Sequence, residues 1–285
     1  MRILVDNYVT HQSTEPVYLD RCFKIAGATS ALWDRNRSSL YDTFDQFAPD
    51  VFVTDYKRID PTLAKYLASA KKKIDVVFNV TNAAERQLSA IETFLQNTSV
   101  SAPFVFTNTP ETLLVPQTTR LKIESILNGA DIWLPSADPN FSINTAILAV
   151  GGVDPNIYPM QGSTHIINAG AEESYDFDAT VPIHQGPSIY RNYERLVLIG
   201  KLEKVFTQRF FDAALHGKNF SIYCANKNDA EKCSQIMDSM KMNNIDSRVP
   251  ILRSHTCLHR AKRFLQKLKC KEFTANLDKA IGELK

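Results

Sequence analysis

At 285 residues, with 44% hydrophobic and 22% charged side chains, the chain has room for one large or two medium cores and an ordinary globular composition, which excludes disordered and fibrous classes. No apolar run approaches the roughly 18 residues of a membrane-spanning helix, and "MRILVDNYV" lacks the basic region, apolar core and cleavage site of a signal peptide, so a cytoplasmic chain without a membrane partner is expected. The net charge of +2 conceals an asymmetry: Met1 to Tyr190 carries 14 Lys and Arg against 21 Asp and Glu, whereas Arg191 to Lys285 carries 19 against 10. A basic half points to phosphate among the ligands, on a nucleotide or a nucleic-acid backbone, with a solvated lysine-rich surface as the plainer alternative.

Along the chain, short β-branched and aromatic runs bounded by polar or Pro residues predict strands at Arg2–Tyr8, Ala28–Trp33, Asp50–Tyr56, Asp75–Val80, Pro103–Asn108 and Ala130–Pro135. Amphipathic stretches predict helices at Pro61–Lys73, opened by the Asp60-Pro61 pair, at Ala83–Gln96, and at Thr118–Asn128 before Gly129. In "AILAVGGVDPNIYP", Ala146 to Pro159, an apolar strand stops at Gly151-Gly152 and two Pro residues follow. The acidic, turn-rich stretch from Asn168 to Glu194 is longer than a usual connection and reads as a linker. The rhythm then restarts, with strands at Arg195–Gly200 and Phe220–Asn226, helices at Phe206–His216 and Asp229–Met242, a strand near Arg248–Leu252 and a basic helix from about Ser254 to Leu268.

Strands and helices alternating in this way argue for parallel sheets covered on both faces. The expected class is α/β with two Rossmann-like domains: residues 1–167, a linker 168–194, and a shortened domain 195–285. On this division Gly151-Gly152 marks the exit from the first sheet. The odd number of cysteines, Cys22, Cys224, Cys233, Cys257 and Cys270, without a C-x-x-C pair reads as isolated buried thiols. In "SHTCLH", His255 and His259 are spaced for one helix face, yet no partner pair of ligands accompanies them, so no metal is expected.

The order of these segments resembles the GT-B glycosyltransferases. "GGVDPNIYP" looks like the signature closing the N-terminal domain in many of them, including CgeB-like proteins; "RLVLIGKLEKVFTQRFFDAALHGKNFSIYCAN" looks like the opening of their C-terminal domain; "STEPVYLDRC" resembles a loop and helix start in that group. Virus-encoded enzymes that glycosylate modified cytosine are comparable in size. The resemblance implies transfer of a sugar from a nucleotide-diphosphate sugar, with no bound cofactor, to an acceptor held by the N-terminal domain; hydroxymethylated cytosine in double-stranded phage DNA is the specific expectation, in a host cytoplasm. The chain departs from the family in having fewer than about a hundred residues after Arg191 and Lys271-Glu272 where a Gly turn is usual.

Such a transfer needs a base for the acceptor hydroxyl and positive groups for the leaving diphosphate. Glu15, His11 and Asp55 are the candidate bases, with Ser13, Thr14, Arg35 and Arg37 on the acceptor side and Asp6 similarly placed at a strand end. Helix capping by Ser13 or Thr14, and a simple turn at Asp55, are the structural alternatives. Lys201, Arg209, Arg253 and Arg260 are the candidate phosphate ligands, with Lys204, Lys262 and Arg263 nearby. Arg35, Arg37, Lys57 and Arg58 would form the basic strip a polyanion needs on an otherwise acidic first domain. A second reading remains open: a non-catalytic protein binding a nucleotide or nucleic acid through a degenerate donor site.

Overall fold

A computed structural model describes the whole chain except residues 8–13, 81–82, 99, 116–117, 135–142, 151–153, 155–157, 159–163, 169–177, 181–184, 218, 225, 243–247 and 285. In chain order the elements are β1 (Arg2–Asp6), α1 (Glu15–Ile25), β2 (Thr29–Trp33), α2 (Leu40–Phe47), β3 (Val51–Asp55), α3 (Pro61–Ser69), β4 (Asp75–Asn79), α4 (Glu85–Gln96), β5 (Val105–Thr107), β6 (Ile123–Ser125) and β7 (Ile143–Val150). There follow β8 (Thr164–Asn168), β9 (Ala179–Thr180), α5 (Gly186–Tyr190), β10 (Tyr193–Gly200), α6 (Leu202–Val205), α7 (Gln208–His216), β11 (Phe220–Tyr223), α8 (Lys227–Ser239), α9 (Arg248–Ser254), α10 (Cys257–Lys267) and α11 (Lys271–Gly282). Single 3-10 turns lie at Tyr56–Arg58 and Glu111–Leu113.

The chain divides into two compact units. The first comprises Met1–Val9, Glu15–Leu127 and Arg260–Glu283. Its six strands form one parallel sheet in the order β2-β1-β3-β4-β5-β6, with Leu4 opposite both Ala31 and Phe52, and Val53 opposite Val77. A parallel sheet covered on both faces needs apolar side chains on both, which is why Ile3, Leu4 and Val5 form an unbroken buried run. One core joins Leu4, Phe44, Phe52, Leu63, Phe78 and Ile91. Another gathers around Phe264 of α10, whose ring meets Phe23, Phe104 and Phe106 at centroid distances of 5.3–5.4 Å. Phe264 is therefore a core side chain, not a platform for a nucleic-acid base. Local signals set the helix starts: Ser39 accepts from the Asp42 N–H before α2, and Asp60 accepts from the Leu63 N–H before α3, with Pro61 at the first helical position.

The second unit comprises Thr10–Thr14, Asn128–His259 and Leu284–Lys285. Its sheet runs β11-β10-β7-β8-β9 and is parallel throughout. Ranked by appearance in this unit, that is 5-4-1-2-3, the doubly wound order with its reversal between β7 and β10. Those two central strands pair along Leu196↔Ala146, Leu198↔Leu148 and Gly200↔Val150. Gly200 has a steric reason: a Cβ there would lie 2.8 Å from the Val150 carbonyl oxygen and 2.5 Å from its Cγ2. Phe206, Phe210, Phe211 and Phe220 pack beside the sheet through successive edge contacts.

The α/β class and the two parallel sheets are as expected; the boundaries are not. β7, taken from the sequence as the last strand of the first sheet, is the central strand of the second, paired with β10 along one edge and β8 along the other, with Ala146 to Val150 buried. The expected shortening follows from a boundary at Arg195; the second unit begins at Asn128. The stretch 168–194 is not a linker between units, since β9 and α5 within it belong to the second. The chain returns to the first unit within α10. The charge asymmetry changes sign in consequence. The first unit holds 21 Lys and Arg against 17 Asp and Glu, and the second 12 against 14, which together account for the chain's 33 and 31.

Three element types differ from expectation. Thr118–Asn128 contains β6, whose Ile123 pairs with Val105 at the edge of the sheet, so edge pairing overrides the local helix preference of Arg, Leu, Lys and Glu. Ala130–Pro135 gives an isolated bridge from Ala130 to Thr256, then a turn in which Asp131 Oδ1 accepts from the Trp133 N–H at 3.1 Å. Gly129 fits there because a Cβ would lie 2.4 Å from the Thr256 carbonyl. The segment from Arg248 is helix α9, and Pro250 explains it: proline is tolerated in a first helical turn and disfavoured inside a strand. Among the described residues no helix is long and apolar enough to cross a membrane.

Candidate functional site

In open parallel sheets ligands bind beyond the carboxyl ends of the strands, at the point where strand order reverses. In the first unit that point lies between β1 and β3, and the residues ending these strands are Asp6 and Asp55. Asp6 is wholly buried. Its carboxylate accepts from Arg35 Nη2 at 2.7 Å and Nε at 3.2 Å, from Thr54 Oγ1 at 2.7 Å and from Arg58 Nε at 3.0 Å. Arg35 also reaches Asp60 at 2.9 Å and lies over the Trp33 ring at 4.7 Å. A buried carboxylate is tenable only with such partners. Asp6 therefore fixes two guanidinium groups at the strand ends.

Asp55 is only partly buried, and one carboxylate oxygen accepts from the Lys57 N–H at 2.8 Å. Burial raises its pKa above the ordinary 3.8, against the lowering pull of that hydrogen bond and of Lys57 and Arg58. In register, Asp55 stands opposite Asn79 of β4. Asn7 follows β1 directly, and its N–H donates to the Trp33 carbonyl at 2.8 Å. Asn7, Asn79 and Asn108, which follows β5, each bury a side-chain carbonyl oxygen that has no hydrogen-bond partner among the described residues. No reading of single residues pointed to these asparagines. A signal was present nonetheless, in an Asn at the end of one apolar strand and one residue past the end of two others: "VFN", "VDN" and "FTN".

The remaining expected residues fall elsewhere. Glu15 and Arg260 are about 98% buried and bind one another, Nε donating to Oε1 at 2.9 Å and Nη2 to the same oxygen. Arg260 Nη1 donates to the Ile126 carbonyl, and its guanidinium lies 5.3 Å from the Phe106 centroid. Each group, expected respectively as base and as phosphate ligand, is thus turned toward the other inside the first unit. Thr14 is tied within the second unit: its N–H donates to Gln208 Oε1 at 2.8 Å and its hydroxyl to Asp131 Oδ2 at 2.8 Å. Arg209 is buried beside Tyr190, with Nη1 3.4 Å from the hydroxyl. Arg37 is largely exposed and pairs with Asp34 at 3.3 Å. Arg253 is exposed. Lys201 is exposed beside Gly200, at the reversal of the second sheet, while the side chain of Lys204 lies outside the described residues. His11, Ser13 and Gly151-Gly152 also lie outside them.

The "SHTCLH" segment separates its histidines. His255 precedes α10, lies 3.2 Å from the Met240 carbonyl through Nε2 and stacks on Phe211, whereas His259 Nδ1 is 2.8 Å from the Thr256 hydroxyl. They do not share a helix face. The described residues contain no group of metal ligands. Nor are all the thiols isolated and buried: Cys224 and Cys270 are partly exposed, and Cys224 is hydrogen-bonded to Cys233. That bond lowers the Cys224 pKa and, with burial, pushes Cys233 up.

No protein-family model and no curated protein matches the chain. Among solved structures, the spinosyn rhamnosyltransferase SpnG aligns with 100% of this chain and 96% of its own at 11% identity and a TM-score of 0.40. SpnG complexed with thymidine diphosphate aligns over the same shares at 9% identity and 0.42. The calicheamicin glycosyltransferase CalG4 aligns with 99% of this chain and 97% of its own at 10% identity and 0.39. A likeness this loose carries no inference about chemistry, and the α/β class rests on the two sheets themselves.

Proposed function

We propose that the chain is a nucleotide-sugar-dependent glycosyltransferase in which the first unit takes the acceptor and the second the donor. The observation that carries this reading is Asp55, a partly buried carboxylate with a raised pKa at the strand reversal of the first sheet. Its carboxylate would accept the proton of the attacking acceptor hydroxyl while the bond between the sugar and the nucleoside diphosphate breaks. The reversal of the second sheet, with Gly200 and exposed Lys201, is the donor-side counterpart. The sequence resemblance to GT-B enzymes supports the enzyme class but not the division between units, since the stretches 151–159 and 195–226 that carry it both fall within the second unit, and no cofactor or metal enters the scheme.

Hydroxymethylated cytosine in DNA is the acceptor that the resemblance suggests, yet three arginines that would track a phosphate backbone, Arg35, Arg58 and Arg260, are engaged with Asp6 and Glu15. Neutral acceptors are therefore tested beside it. Purified protein is incubated with a panel of nucleotide-diphosphate sugars, with and without methyl hexosides or hydroxymethylated DNA, and release of nucleoside diphosphate is measured. We expect release that depends on one donor and falls by about 10²-fold or more in Asp55→Asn. Absence of release with every donor in a folded sample, together with no calorimetric signal for nucleotide binding, would overturn the proposal.

A further inference from the structure

We infer that Cys224 and Cys233 form a thiol pair that exchanges with small disulfides and closes to an intramolecular disulfide, Cys224 attacking and Cys233 resolving. The pair is set up by two elements of the second unit. Cys224 follows β11, whose last residue, Tyr223, pairs with Ile199 of β10, so it stands at the carboxyl edge of the second sheet. On α8, Ala230, Cys233, Ser234 and Met237 recur at spacings of three and four and share one helix face. That face and the end of β11 flank an open pocket of about 220 Å³, lined by Ile222, Cys224 and those four side chains. The two thiols meet there through a hydrogen bond, Cys224 partly exposed and Cys233 buried at 6% exposure.

A thiolate, not a thiol, attacks a disulfide. The Cys233 S–H donates to Cys224 and lowers its pKa, against burial and the Asp229 carboxylate. The same bond, with burial, pushes Cys233 up, so it remains a thiol until the second step. Cys270, also partly exposed, lacks this setting: burial and Glu272 raise its pKa, and its thiol meets the Met1 sulfur and the Leu268 carbonyl. The exchange balances in two steps. The Cys224 thiolate bonds to one sulfur of R–S–S–R, whose S–S bond breaks and releases RS⁻. The Cys233 sulfur then bonds to Cys224 Sγ, the mixed disulfide breaks, and the Cys233 proton leaves with the second thiol as RSH. Two protein thiols are oxidised and one small disulfide is reduced. Sulfurs already in hydrogen-bond contact have only to close to the S–S bond length of about 2.0 Å. The pocket admits the R group between Ile222 and Met237, and a longer one leaves past Ala230 and Ser234, which are exposed.

The test uses the full chain, reduced and freed of reductant, incubated with hydroxyethyl disulfide or oxidised glutathione. Remaining thiols are then alkylated in denaturant and the peptides mapped by mass spectrometry, with hydrogen peroxide as a separate arm. Both disulfides are expected to give a linked Cys224–Cys233 peptide while Cys22, Cys257 and Cys270 stay alkylated. Cys233→Ala is expected to stop at the mixed disulfide on Cys224. Cys224→Ser is expected to lose the linked product and to slow thiol loss about tenfold or more, whereas Cys270→Ala behaves as wild type. Should Cys233→Ala not fold, as judged by circular dichroism, the wild-type map decides without any substitution. Adducts shared between Cys224 and Cys270, a linked peptide formed only after unfolding in urea, no mixed disulfide on folded Cys233→Ala, or oxidation by peroxide alone would each overturn the inference. The pair does not depend on sugar transfer, so absence of turnover with every donor leaves this inference standing.

Discussion

Glu15 shows why residue type and position near a strand end do not suffice to name a base. A first-turn glutamate before Pro16 resembles an exposed helix-start acid or a catalytic group, yet its carboxylate is sequestered by Arg260, a residue 245 positions later. Nothing local announces such a partner, because only the tertiary fold brings α10 beside α1. Removing one member of a buried pair leaves an uncompensated charge, so Glu15→Gln and Arg260→Met are each expected to lower stability by about 3–5 kcal/mol. The double variant Glu15→Leu/Arg260→Met is expected to recover most of that loss. Urea unfolding of the set as a double-mutant cycle measures it, and additive losses in the double variant would show that the two groups do not act as a pair. Asp55 was legible for the opposite reason. A carboxylate closing an apolar run falls at the carboxyl edge of a parallel sheet whatever the rest of the chain does.

Among elements, α7 carries the most consequential buried acid. Asp212 accepts from the Asp131 N–H at 2.9 Å and from Gln208 Nε2 at 3.2 Å, one turn from Gln208 on the same helix. Burial drives its pKa well above the ordinary 3.8, and Asp131 adds to the rise, despite the opposing hydrogen bonds and Arg209. A folded-state pKa above the unfolded one means that the contribution to stability is complete below about pH 4 and is lost as pH rises through the folded value. The protein is therefore expected to weaken toward alkaline pH, and Asp212→Asn to flatten that dependence. Urea midpoints at pH 5 and pH 9 decide it: a wild-type loss that persists undiminished in Asp212→Asn would place the titrating group elsewhere. Strand-end asparagines belong to this scale too. Each looks like an ordinary turn residue, and only the pairing of β3 with β4 sets Asn79 opposite Asp55.

For the whole molecule, the unit boundaries predict which pieces fold. A fragment ending at residue 167 lacks Phe264, which fills the space among Phe23, Phe104 and Phe106, and it carries β7 and β8 without β10. It is expected to be insoluble or to lack a cooperative thermal transition, because deleting a buried Phe alone costs about 3–5 kcal/mol and the fragment also exposes two unpaired strand edges. A soluble fragment with a sharp transition would contradict the boundaries described above. The sequence by itself determined the alternation of strands and helices, the parallel sheets, the start of α3 at Pro61 and the approximate place of four other helices, since apolar period, caps and proline act within a few residues. Only the tertiary structure decided to which sheet β7 belongs, where the basic C-terminal helices go, which charges neutralise one another and which residue stands opposite Asp55. Those outcomes depend on partners well beyond the reach of a helical turn or a hairpin, from 29 positions between Asp6 and Arg35 to 245 between Glu15 and Arg260, and a local pattern of buried apolar residues is the same whichever sheet buries it.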